Sequence, residues 1–182
     1  MDELIDILDS EGNPLGKTAM KSEVHKMGWF HRTVHIWFHT SDGRVLLQQR
    51  GKNKDAHPLL WDVSVAGHVS AGEPIETAAL REVEEEIGLE ILTNDLYKIG
   101  VFKSIQKHHE RFIDHEFHHT FLCELKMPLE KLTKQESEVA SLKLIPLSTF
   151  KSNLEDKKRS VTYVPHEKRY YKTIINAIEQ HL

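Results

Sequence analysis

Cysteine is nearly absent. Cys123 is the only one in 182 residues, so an internal disulfide is excluded and a reducing, cytoplasmic setting is expected. Long hydrophobic runs are missing as well: none approaches the roughly 18 apolar residues that a membrane span needs. The opening residues, Met1-Asp-Glu-Leu-Ile-Asp, hold neither a basic stretch nor an apolar core, so no secretory leader is expected. Positive charge is not in excess either. The formal net charge of −4 provides no global field to recruit nucleic acid. No repeat and no low-complexity linker interrupts the chain. With 39% apolar and 29% charged residues, the composition is that of a folded globular protein, and the length suits one domain spanning residues 1–182. Thirteen histidines are many for this length.

Local patterning predicts a mixed sheet covered by helices. Leu4–Leu8 reads as a short strand and Asp9-Ser-Glu-Gly-Asn-Pro as a turn. Arg32–Phe38 and Val45–Gln49, joined by Ser41-Asp-Gly-Arg, read as a hairpin. Trp61–Ala66, Leu96–Val101, His115–Leu125 and Leu142–Pro146 read as further strands. Residues 74–87 lack internal glycine and predict a helix, with Pro74 in its first turn and Gly88 as its left-handed stop. Tyr171, Ile174, Ile175 and Ile178 recur at helical spacing within a terminal helix, Lys168–His181.

The 74–87 helix carries the chemistry. At 100° per residue from Ile75, Glu85 falls at about 280°, Glu82 at about 340° and Glu86 at about 20°. The three carboxylates share one arc, and Ala79, Leu80, Val83 and Ile87 fill the arc beside it. A merely solvated acidic face would lie opposite the apolar stripe, not against it. Glu82 also repels Glu85 and Glu86 at spacings of three and four unless a cation intervenes, and Arg81 is the only base within the helix. Hard oxygen donors grouped this way suit Mg²⁺ or Mn²⁺, which also bind substrate phosphates.

The stretch from Gly67 to Leu89 resembles the signature of the Nudix (MutT-like) hydrolase superfamily. Gly67, Glu73, Arg81, Glu82, Val83, Glu85, Glu86, Gly88 and Leu89 fill its defined places. The resemblance implies an α/β/α sandwich with a mixed β-sheet. It also implies hydrolysis of a diphosphate linkage in a nucleoside diphosphate-X or related small phosphorylated substrate. Glu82, Glu85 and Glu86 would be metal ligands, the Gly67 carbonyl an added one, and Arg81 the residue orienting the carboxylates, with Glu73 as its structural partner. In many relatives a glutamate outside the signature activates the water; Glu136 and Glu138 are the candidates here. Arg50, Lys52 and Lys54 are candidates for phosphate contacts.

A looser likeness over roughly residues 20–125 points to one branch of that superfamily, the isopentenyl-diphosphate isomerases. It rests on His25, His31, Leu46-Leu-Gln-Gln-Arg, Trp61, Gly67-His68 and Asp114-His115-Glu116. It implies a second metal site of His31, His68 and Glu116, with Asp114 or His25, of a kind suited to Zn²⁺, Mn²⁺ or Fe²⁺. Ala66, however, stands where those isomerases carry a catalytic cysteine, and alanine can neither give nor take a proton. Hydrolysis is therefore the expected reaction; an isomerase and a non-catalytic nucleotide-binding module are the alternatives. Cys123 lies off that motif and is expected to be a small buried hydrophobe. The substrate and the oligomeric state are left open.

Overall fold

A computed structural model describes residues 2–182. Strand β1 (Leu4–Leu8) pairs with β2 (Pro14–Met20), and α1 (Lys21–Met27) leads into β3 (Phe30–His39). β3 is central: parallel β8 (Phe112–Glu124) runs along its full length on one side. On the other side it meets, in turn, β1, β6 (Val65–His68) and β4 (Arg44–Arg50). β7 (Tyr97–His109) extends the sheet beyond β8, while β5 (Trp61–Asp62) and β9 (Val139–Pro146) flank β4. The sheet has nine strands of mixed direction.

Its two faces are covered by different helices, as the α/β/α reading requires. β3 is buried on both faces from Thr33 onward, the signature of a strand with cover above and below. Val34, Ile36 and Phe38 point to α2 (Ile75–Ile87) and pack with Ala79, Val83 and Ile87. Trp37, on the opposite face, joins Phe150 of α3 (Leu147–Glu155) and Tyr170, Ile174 and Ile178 of α4 (Lys168–His181). Cys123 is buried in the first of these cores, where burial lifts its thiol to about 12. Where β3 and β4 splay apart, buried Ser64 bridges them. Its hydroxyl accepts from Phe38 N at 2.8 Å and donates to Leu46 O at 2.6 Å, satisfying groups the ladder leaves unpaired.

Several boundaries differ from expectation. The Trp61–Ala66 strand is two, β5 and β6, because Val63 and Ser64 turn the chain from β4 to β3. Pro74 is the cap, not the first turn: its φ of −63° and ψ of 144° are extended. Gly88 is left-handed (φ 65°) and its N–H bonds Glu84 O at 3.0 Å, as the stop reading requires. β7 runs on to His109, well past Val101, because β8 pairs with it throughout.

Candidate active site

Strands and helices from across the fold build the site around one cavity of about 410 Å³. α2 supplies its acidic wall. Glu82 and Glu86 are buried, whereas Glu85 is half exposed, so the acidic arc straddles the helix edge between core and opening. Gly67 on β6 makes room for this wall. A β-carbon there would collide with the Glu82 carboxyl, so only glycine lets that carboxylate lie against the strand. Glu86 accepts from Gln48 Nε2 at 2.9 Å and from Ala66 N at 3.2 Å. Burial, and then the nearby Glu82 charge, push the Glu86 carboxyl up to about 8; burial raises that of Glu82 as well.

Arg81 ties the wall to the loop before it. Its Nε and Nη2 each donate to Glu73 at 2.9 Å, Nη2 also reaches His68 O at 3.0 Å, and Nη1 reaches Glu82 at 2.7 Å and Glu85 at 3.3 Å. Glu73 is in turn fixed by the Ser70 N–H at 3.0 Å, and the Arg81 guanidinium holds its carboxyl below the usual range. One planar fork thus positions three carboxylates, which a lysine ammonium could not do.

The second cluster also assembles. His25 of α1, His31 of β3 and His68 of β6 present ring nitrogens within 4.8 Å of one another. His31 Nε2 lies 3.3 Å and His68 Nε2 3.7 Å from Glu116 Oε1 of β8. The strand register brings this about, pairing His31 with Glu116 and Thr33 with His68. Burial, then the Lys21 and His31 charges, hold His68 well below the usual imidazole range. Burial opposes the charged form of His31, yet the Glu116 carboxylate outweighs it and raises the group; Glu116 is held correspondingly low. Asp114 is not in the ring of ligand atoms. Its two oxygens contact His25 Nδ1 at 2.8 Å and His108 Nε2 at 2.7 Å, which places it behind His25.

The two expected candidates for the water-activating glutamate separate. Glu138 lines the cavity and pairs with Lys54; burial raises its carboxyl, but the Lys54 ammonium outweighs this and keeps it low. Glu136 does not reach the cavity: its side chain is 82% exposed and pairs with Lys134. Arg50 and Lys54 line the cavity and Lys52 does not.

The sequence reading overlooked the far wall. His35 faces the cavity with His118, Asp62 and His166. His35 shares strand parity with His31, and this was the one signal available. His166 reaches the wall from the segment just before α4, and Tyr170 of α4 backs it through His35, so no local pattern announces them. The loop over this wall holds two non-glycine residues at positive φ, His57 at 49° and Leu59 at 62°. Such backbone is uncommon and persists where the surroundings fix it; here His57 bonds Gln106 at 3.1 Å.

Comparison with known proteins bears on the family and the fold. A family model described as the NUDIX domain matches residues 29–165. Nudix hydrolase 3 of Arabidopsis thaliana is 36% identical over 170 residues, covering 91% of this chain but only 22% of that longer protein. An isopentenyl-diphosphate Delta-isomerase of Photorhabdus laumondii is 31% identical over 157 residues, 86% of either chain. The crystal structure of DR0079 from Deinococcus radiodurans superposes with a TM-score of 0.67 at 17% identity, over 88% of this chain and 97% of that one, a likeness of fold.

Proposed function

The chain belongs to the Nudix family and is a Nudix hydrolase; from that premise we propose that it cleaves a diphosphate linkage in a small phosphorylated molecule with Mg²⁺ or Mn²⁺ held by Glu82, Glu85 and Glu86. One observation carries the metal assignment. Two buried carboxylates lie one helical turn apart, Glu82 packed against Gly67 and Glu86 against Gln48, and the one guanidinium nearby reaches only Glu82 of the two. Such a pair is unfavourable in its ionised form without a cation. The donor set, all carboxylate oxygen with the Gly67 carbonyl nearby, fits a hard divalent ion. Bound there, the ion would polarise a phosphoryl oxygen and offset charge on the leaving phosphate.

The chain's own residues do the rest. Arg81 and Glu73 keep the carboxylates aligned, and Gln48 holds Glu86 in place. Glu138, ionised beside Lys54, faces the cavity as the proton acceptor for water attacking phosphorus. Lys21 and Lys54 supply positive charge to the same cavity for the diphosphate oxygens, while Arg50 is engaged by Asp62. We assign a second metal position to His25, His31, His68 and Glu116. His31 Nε2 is buried and, among the described residues, makes no hydrogen bond. Mixed imidazole and carboxylate donors there suit Zn²⁺, Mn²⁺ or Fe²⁺. Alkene isomerisation is not the proposed reaction, because Ala66 offers no proton at the position where related isomerases carry a thiol.

Glu86→Gln tests the reading cleanly. Glutamine imitates the protonated Glu86 that burial favours without metal, so melting in chelator stays within a degree or two of the wild type. Stabilisation by Mn²⁺ and turnover on any accepted diphosphate fall on the order of 100-fold. Undiminished turnover, either in this variant or in wild type with chelator, overturns the proposal.

A further inference from the structure

We propose that the inner wall of this cavity selects a diphosphate whose organic part is a polyhydroxylated ring, a sugar or a cyclitol, rather than a prenyl chain or a nucleobase. The inference rests on the hydrolase reading above and names its substrate class.

The wall opposite the acidic helix is polar. His35, His118, His166, Asp62, Arg50 and Gln106 form it, and the apolar residues lining the whole cavity are Ala56, Ala66, Phe112 and Val164. A prenyl chain gains by shedding water onto apolar surface, and this wall offers little. It would also strip water from polar groups without replacing their hydrogen bonds. A nucleobase needs a free aromatic face. Among the described residues Phe112 is the only phenylalanine, tyrosine or tryptophan lining the cavity. Its ring is stacked on His25 at 4.7 Å and flanked by His108 at 5.3 Å.

Hydroxyl groups fit what the wall presents. His118 is buried; its Nδ1 is bonded to Thr33 Oγ1 at 2.7 Å, while its Nε2 has no hydrogen-bond partner among the described residues. A hydroxyl both donates and accepts, so it satisfies that nitrogen in either tautomer. The ring cannot turn away: His35 stacks on it at 4.0 Å and is itself anchored to the Tyr170 hydroxyl at 2.7 Å, which also accepts from Trp37 Nε1 at 2.9 Å. Asp62, bonded to Arg50 at 3.0 Å and to His166 at 2.8 Å, repels a phosphate but accepts from a sugar hydroxyl. The anionic end of the substrate is thereby directed to the metal wall and the neutral, hydroxylated end to this one.

The test compares kcat/KM on ribose 5-diphosphate, a diphosphorylated inositol, ADP and isopentenyl diphosphate with Mg²⁺ or Mn²⁺. A hydroxylated, base-free diphosphate should lead by at least about tenfold, as expected when a site is built to hydrogen-bond a substrate hydroxyl. His118→Asn keeps an amide near the Thr33 bond but deletes Nε2, and should lower that lead about tenfold; His118→Gln, which returns an amide toward the Nε2 position, should restore most of it. Turnover that favours ADP or isopentenyl diphosphate, or an equal loss on every substrate in His118→Asn, overturns this inference and leaves the hydrolase reading standing. No turnover on the whole panel fells both.

Discussion

Gly67 shows how much one missing side chain can decide. Its site is where β6 passes the buried Glu82 carboxyl, and a β-carbon would occupy the space that the carboxylate fills. The obstacle is the end of a flexible side chain, so Gly67→Ala should fold, with Glu82 turned away from its neighbours. The expected outcome is a loss of metal affinity and turnover of about 10- to 100-fold, with melting lowered by only a few degrees. Mn²⁺ titration by calorimetry, alongside melting in chelator, checks both halves. Unchanged Mn²⁺ affinity would show that Glu82 is not a ligand. At this scale the signature residues were legible because their spacing is local: Glu82, Glu85 and Glu86 had to share a helix edge once the helix was granted. His118 and His166 were not. Their neighbours come from β3, α4 and the β5 region, separated by up to 135 residues, and no spacing within one element encodes such a meeting.

At the scale of elements, α2 is held to its approach loop by Arg81 more than by any cap, since Pro74 provides no side-chain bond. Five hydrogen bonds from one guanidinium join Glu73, His68, Glu82 and Glu85. Arg81→Lys keeps the charge and loses the fork, so it should lower kcat by about 10- to 100-fold while leaving the fold intact. Glu73→Gln should do the same, and the double variant should be scarcely worse than either single one, because both act through one unit. Additive losses would show that Arg81 and Glu73 work separately. Elements with strong periodicity, α2 and α4, were readable almost to the residue. β2, α1 and α3 were not, for a physical reason. β2 is an edge strand that buries only Ala19, α1 has seven residues, and α3 buries only Leu147 and Phe150. With so little apolar surface to bury, such segments carry almost no pattern.

Across the whole molecule, buried polar groups in and around the cavity and elsewhere in the sheet make stability depend on pH from both sides. Burial holds His118 and His119 down to about 4, and lowers His35 and His68 also. Between about 4 and the unfolded value of 6.5 the unfolded chain binds more protons at these histidines, so stability rises with pH through that window. Each such group contributes about 1.4 kcal/mol per pH unit where the two states differ by one proton. Glu86 works the other way. Its folded value of about 8 lies above the unfolded 4.5, so its contribution is fully present below 4.5 and is lost as pH rises toward 8. Glu82 and His31, also raised, act in the same sense. With His39 and His57 lowered too, six histidines outnumber the raised groups below 6.5; above it only the opposing groups still titrate. Metal-free protein should therefore be most stable near pH 6.5 and weaken on either side. A divalent ion replaces the proton on Glu86, so saturating Mn²⁺ should abolish the decline between 6.5 and 8. Urea midpoints at half-unit steps from pH 4.5 to 8, in chelator and in Mn²⁺, measure both limbs, and His119→Gln should flatten the acid limb alone. A profile that rises steadily to pH 8 in chelator would mean that Glu86 is ionised without metal, and the paired carboxylates would lose their status as a built cation site.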